Sequence, residues 1–404
     1  MKKLKAGYCE CDISPLVGTP MSAFPVHTGK GKQARISEGV HDPLKAAALT
    51  LSDGKQILVI CSSDTTLFQT KDVLEIRNLV SERSAILPEN IMICNTHTHS
   101  SGENTYLFEG FKENAWSGEL KCKIVDTIVK SSENLVDGDI FFKQIEAPFN
   151  HNRRTIKDGN SIITYDRAEG ATSGPVDPMF SILRIELSKG HSIWWTNWTA
   201  HALTTGPRNF KITADYPGIL NAMIETEFPG SKAFFTNGCA GNVHPMKSMK
   251  EGFDTGKEIG GMLFEKLRDA SLDMRQLKPE LSIKSEVLKL KHRKNNQEID
   301  IVEACIDLGG VKIGFLPGEP YVEFQMAFMK ALAPSSCFVN GYSNGWCGYI
   351  PTEKSFGEGG YGVDYFEELP SLPMDFGRTQ VNPGDGEIML EKLIELAKKE
   401  GESK

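Results

Sequence analysis

The stretch Ile91-Met92-Ile93-Cys94-Asn95-Thr96-His97-Thr98-His99-Ser100 constrains this chain more than any other segment. A short, unbroken apolar run after the turn residues Leu87-Pro88-Glu89-Asn90 reads as a strand buried on both faces. Its polar end, with two histidines at i and i+2, then lies at the mouth of a sheet. Side chains two apart on a strand share a face, so His97 and His99 are expected side by side. Neutral imidazoles converging there suit a divalent metal. The plainer alternative is two surface histidines in a polar loop.

The rest of the pattern mixes strands and helices with no internal repeat. Strands are expected over 46–51 and 57–62, joined by a turn at Asp53-Gly54, and over 180–187 and 192–199, joined about Lys189-Gly190. Apolar residues at helical spacing predict helices over 71–82, 121–135, 215–227 and 256–270. Beyond Pro279 the pattern turns to strands at 281–290, 300–307 and 311–316. A helix over 320–332 and a closing helix from 387, with Met389, Leu393 and Leu396 on one stripe, follow. The expected fold class is α/β, a mixed β-sheet core flanked by helices. One compact unit is expected over 1–404, with a subdomain shift near 279 as the alternative.

Charge and composition exclude several classes of function. A net charge of −8, with no Lys/Arg block, argues against a nucleic-acid partner. No apolar run approaches the roughly 20 residues of a transmembrane segment, and the first seven residues lack the apolar core of a signal peptide. The nine cysteines are scattered without a Cys-x-x-Cys pair, and Cys61, Cys94 and Cys305 sit in strand-like runs. Buried free thiols and a cytoplasmic compartment are the expectation, or secretion if a signal peptide has been trimmed away. No sequence feature sets an oligomeric state.

Two familiar motifs fail on context. Gly341-Tyr342-Ser343-Asn344-Gly345 spells the G-x-S-x-G nucleophile elbow, but a poor helix former, Trp346 to Pro351, follows it. The last histidine, His292, precedes Ser343, against the chain order of that fold. Gly357-Glu358-Gly359-Gly360-Tyr361-Gly362 spells G-x-G-x-x-G without the strand and helix that a dinucleotide site needs. It reads as a mobile loop over 356–363, a lid able to carry Tyr361 to a site.

Three further regions carry suitable donors. His201 follows the strand containing Trp194-Trp195; the alternative for it is a satisfied core histidine. Glu319 follows Phe315-Leu316-Pro317-Gly318 and is expected exposed at a sheet end; the alternative is a helix N-terminal carboxylate. Tyr349 follows the loop from Ser343, with a core aromatic as its alternative. Other segments resemble, in order, those of the neutral (alkaline, non-lysosomal) ceramidases, zinc amidases that cleave an N-acyl bond. They are Cys11-Asp12-Ile13-Ser14-Pro15, Gly39-Val40-His41-Asp42-Pro43-Leu44, His97-Thr98-His99-Ser100, Asn152-Arg153-Arg154, the segment around His201, Leu316-Pro317-Gly318-Glu319, and Ser343-Asn344 to Tyr349-Ile350-Pro351-Thr352.

The resemblance implies zinc held by His97, His201, Glu319 and Tyr349, with His99, Arg153 and Tyr361 as catalytic or substrate-polarising residues. It implies a catalytic domain without the C-terminal immunoglobulin-like domain. The substrate is then ceramide, cleaved to sphingosine and fatty acid, or a smaller N-acyl compound. Three segments depart from the family pattern: Met21-Ser22-Ala23-Phe24 where M-x-G-Y is usual, Ser101-Gly102-Glu103 where Gly-Pro-Gly follows the histidines, and Asn242-Val243-His244-Pro245 where Asp-Val-Ser-Pro stands. The rival readings are a serine esterase using Ser343 and a non-enzymatic binding protein on the same scaffold.

Overall fold

Strict alternation of side chains builds the central layer. In the computed structural model, which describes residues 3–28, 31–105, 114–169, 174–188, 190–363 and 379–399, the strand Lys45–Ser52 is buried on both faces. Ala47, Leu49 and Leu51 enter one core while Ala46 and Ala48 enter another. The main sheet is made of β1 (Leu4–Asp12), β2 (Lys45–Ser52), β3 (Ile57–Ser63), β4 (Ile91–Asn95), β5 (Val136–Glu146), β6 (Met179–Leu187), β7 (Ser192–Trp198) and β8 (Lys232–Asn237). Their order is β8-β7-β6-β5-β1-β2-β3-β4, with the two-residue strand Arg275–Gln276 added beside β5. A second sheet, β9 (Leu281–Lys291), β10 (Glu298–Leu308), β11 (Val311–Phe315) and β12 (Cys337–Asn340), runs in that order.

The two sheets stack face to face. Leu281, Ala304, Ile306 and Ile313 of the second share one core with Leu4, Leu49, Ile60 and Leu183 of the first. The strands beyond 279 are half of a common sandwich. Helices cover both outer faces. Helices α1 (Thr70–Arg83) and α2 (Ala115–Glu133) pack on β2, β3 and β4, and α3 (Asp215–Glu227) and α4 (Asp254–Ala270) pack on β6, β7 and β8. The outer face of the second sheet is covered by α5 (Val322–Leu332) and, after the short α6 (Glu353–Glu358), by α7 (Asp385–Lys398). The α2 helix starts earlier than its apolar spacing predicts because Asn114 and Ser117 cap each other reciprocally, Asn114 Oδ1 accepting from the Ser117 amide at 2.9 Å.

All nine cysteines are free thiols, and six are buried. No described helix is long and apolar enough to cross a membrane.

The edges of the large sheet curl towards each other. Ser62 Oγ donates to the Phe235 carbonyl at 2.5 Å, and Asn237 Nδ2 donates to that of Thr96 at 3.3 Å. Three parallel pairs, β3 with β4, β7 with β8 and β11 with β12, therefore bring their carboxyl ends to one place. In α/β sheets that end is where ligands bind.

Candidate metal centre

His97 and His99 lie in the loop beyond β4, not on the strand itself. His97 has φ +64°, in the left-handed region that β-strands do not enter. The rings converge because the loop turns, so strand alternation, the ground on which they were expected together, is not the cause. The loop is held in that strained form by backbone bonds from His97 N to the Thr65 carbonyl (3.1 Å) and from Thr96 N to that of Ser63 (3.0 Å). Tyr342 stacks on the His97 ring, centroids 4.2 Å apart.

His97 and His201 are oriented in the same way. Nδ1 of His97 lies 2.7 Å from the Thr66 carbonyl, and Nδ1 of His201 lies 2.7 Å from that of Ala240. A carbonyl only accepts, so each Nδ1 carries the proton and each ring presents a bare Nε2. Both lone pairs face Glu319 Oε2, at 3.4 Å from His97 and 3.1 Å from His201. Glu319 is buried, not exposed at a sheet end as its sequence context suggested. Burial, then the nearby Arg153 charge, drives His201 down to about 3. The pair is thus a carboxylate facing a neutral imidazole.

Three acceptors aimed at one another in a buried space repel unless a cation lies between them, and neither His201 Nε2 nor Glu319 Oε2 has a hydrogen-bond partner. A tetrahedron with arms of about 2.0–2.1 Å has edges of about 3.3 Å, so these separations suit zinc. His99 comes closer than sequence reasoning allowed. Its Nε2 is 3.1 Å from His97 Nε2, and the ligand atoms of His97, His99 and His201 lie within 4.8 Å of one another. Its Nδ1 is buried without a partner, and burial, then His97 and His201, hold the ring well below its ordinary pKa.

Tyr349 neighbours Glu319 in a short parallel bridge, Glu319–Pro320 with Tyr349–Ile350. Its hydroxyl accepts from Arg153 Nη2 at 3.2 Å and donates to the Tyr361 hydroxyl at 3.4 Å. Burial, then Glu319, pushes the Tyr349 phenol up. The Arg153 guanidinium lies 4.8 Å from the Tyr361 ring centre. Burial opposes its charge, but Tyr349, Tyr361 and Glu319 more than offset that and hold Arg153 protonated. The seven residues singled out from the sequence thus meet in one cluster, six of them buried and Tyr361 half-buried. Ser343 is not part of it: its buried hydroxyl donates to the Gly341 carbonyl at 2.9 Å and touches Cys94. An elbow serine needs a histidine there instead.

No family model matches the chain, and no curated protein matches it in sequence. Solved structures do. It superposes on the neutral ceramidase of Pseudomonas aeruginosa with a TM-score of 0.73 at 17% identity, covering 98% of this chain and 74% of that one. A ceramidase complexed with C2 superposes with a TM-score of 0.74 at 15% identity, over 98% and 75%.

The chain has the neutral ceramidase fold.

Within the ceramidase fold the departures seen in the sequence acquire physical content. Ala23, where the family motif has glycine, sits at φ +70°, which costs an L-residue about 1–2 kcal/mol; the neighbouring Phe24 packs on His99, ring centres 5.2 Å apart. Asn242 ties down the start of α5, accepting from the Val322 amide and donating to Glu323. His244, which sequence reasoning left without a role, contacts Arg153 directly; the one signal pointing to it was its break with the family pattern.

The glycine-rich segment differs most from expectation. Residues 356–358 complete α6, and the loop beyond is pinned: Arg154 pairs with Glu358 and donates to the carbonyls of Gly359 (3.1 Å) and Tyr361 (3.2 Å). A Cβ on Gly360 would lie 2.7 Å from the Ser161 carbonyl, and one on Gly362 would lie 2.6 Å from the Tyr321 hydroxyl. These glycines permit close approach, not swing.

Proposed function

We propose that the protein is a zinc-dependent amidohydrolase that cleaves the N-acyl bond of ceramide or a related smaller N-acyl compound. The observation that carries this reading is the buried convergence of two bare imidazole nitrogens on the Glu319 carboxylate, with Arg153 and Tyr361 alongside. The ceramidase fold supports the reaction class.

In this reading His97, His201, Glu319 and Tyr349 hold the metal. When bound, zinc supplies Lewis acidity, acidifying water to a pKa of roughly 7 and polarising a carbonyl. His99 does the proton work. It is held neutral by burial, and its Nε2, turned into the centre 3.1 Å from His97 Nε2, would accept a proton from the attacking water and return it to the leaving amine. Arg153 and the Tyr361 hydroxyl donate to the oxygen that becomes negative as the amide carbon turns tetrahedral. Their burial strengthens both interactions. Tyr349, held by Arg153, keeps the two halves of the site in register.

The test combines elemental analysis with turnover. About one zinc per chain is expected. Chelation should abolish hydrolysis of short-chain ceramide or another N-acyl amide, and added zinc should restore it. His99→Ala should keep zinc and lose turnover. Metal-free protein with full activity would overturn the reading, and zinc loss in the variant would make His99 a ligand.

A further inference from the structure

His244 is buried, and both its ring nitrogens are committed. Nε2 lies 2.9 Å from Arg153 Nη1, and Nδ1 lies 3.1 Å from Ser248 Oγ. A guanidinium has only N–H groups, so Nε2 must accept. The ring proton is therefore on Nδ1 and goes to Ser248 Oγ, whose own hydroxyl donates to the Tyr165 carbonyl at 2.5 Å. One tautomer satisfies the whole chain of bonds. The backbone explains why these groups meet: Asn150–Asn152 pairs antiparallel with Val243–Pro245, and Arg153 N donates to the Asn242 carbonyl at 2.8 Å.

The guanidinium is thus gripped by three acceptors. Nη2 donates to the Gly241 carbonyl at 2.5 Å and to the Tyr349 hydroxyl, and Nη1 donates to His244. The first two share one nitrogen. Among the described residues, His244 holds the other arm of the fork, and with Gly241 and Tyr349 it fixes the guanidinium plane over the Tyr361 ring. We propose that His244, backed by Ser248, is a positioning residue that aims Arg153 at the developing oxyanion. This rests on the amidohydrolase reading above. A misplacement of about 1 Å in such a donor is enough to cost about 100-fold in rate.

The experiment compares kcat, KM, zinc content and melting temperature for wild type, His244→Leu, His244→Gln, Arg153→Ala and the double variant His244→Leu/Arg153→Ala. His244→Leu should lower kcat by roughly 10- to 100-fold with KM little changed and zinc retained. His244→Gln, whose side-chain oxygen reaches the Nε2 position, should recover most of the loss. The double variant should be no slower than Arg153→Ala alone, because a residue acting through Arg153 has nothing left to aim. A crystal structure of His244→Leu should show the guanidinium turned off the Tyr361 ring. Additive losses, no rescue by Gln, or an unmoved guanidinium would overturn the proposal. Should His244→Leu fail to fold, Ser248→Ala provides the same double-variant test with a loss of a few-fold. Absence of N-acyl hydrolysis by the wild type would instead refute the amidohydrolase reading, while the crystallographic position of the guanidinium still judges the role of His244.

Discussion

Replacing Glu319 by Gln exchanges one oxygen for an amide nitrogen where three acceptors converge. In the wild type without metal, Oε2 faces the bare Nε2 atoms of His97 and His201 at 3.4 and 3.1 Å. A Gln amide can donate across the shorter of these gaps, turning a repulsion into a hydrogen bond of about 1 kcal/mol. At about 2.1 cal/mol/K per residue, 404 residues unfold with an entropy of about 0.85 kcal/mol/K. The metal-free variant should then melt about 1 °C above metal-free wild type. Zinc acts in the opposite sense. At 100 times its dissociation constant it stabilises the wild type by about 2.7 kcal/mol, or about 3 °C, and that shift should vanish in Glu319→Gln. The assay is thermal unfolding at pH 7.5 with and without zinc, where His201, pushed down to about 3, is neutral. If the metal-free centre were instead an imidazolium–carboxylate pair, removing the charge would cost about 3–5 kcal/mol, a fall of about 4–6 °C. Such a fall, or a retained zinc shift, would refute the acceptor-only reading of the centre.

Tyr361→Phe should lower kcat by about 100- to 1,000-fold with zinc content unchanged; Gly362→Ala, which drives a Cβ towards the Tyr321 hydroxyl at φ +88°, should also lower kcat by displacing the same loop, and wild-type kcat in both would remove Tyr361 from the chemistry. Ser343→Ala should keep its turnover, losing about 1 kcal/mol of stability with the Gly341 hydrogen bond; abolished turnover in folded protein would revive a serine mechanism. Burial pushes the Asp64 carboxyl up to about 7 from an ordinary value near 3.8. With the folded value raised, the wild type binds this proton more tightly when folded, and that contribution is lost as pH rises from about 4 to 7. Asp64→Asn should therefore gain on wild type with rising pH, by at most about 4 kcal/mol, in urea unfolding at pH 4.5 and 7.5; a difference that does not change with pH would refute this.

Much of the fold is legible from local pattern. The hairpin of β6 and β7, α3 and the stripe of Met389, Leu393 and Leu396 on α7 stand where apolar spacing puts them. The eleven-residue β5, central to the large sheet, was not legible. Its Asp137, Asp139, Lys143 and Gln144 obscure the alternation that buries Gly138, Ile140 and Phe142. The glycine run after α6 looked mobile because glycine is permissive, yet the local sequence does not reveal that Arg154 and Ser161, some 200 positions earlier, pack against it.

By itself the sequence determined which donors exist and that each follows a strand: His97 after β4, His201 after β7, Glu319 after β11, Tyr349 after β12. Periodicity and turn chemistry are local, so they show in the order of residues. Only the tertiary structure decided that these strand ends meet, because parallel pairing and the curl of the sheet join segments up to 173 residues apart. It also decided protonation and aim. The bare Nε2 atoms follow from carbonyls at Thr66 and Ala240, and the orientation of Arg153 from His244, all of them contacts between segments distant in the chain.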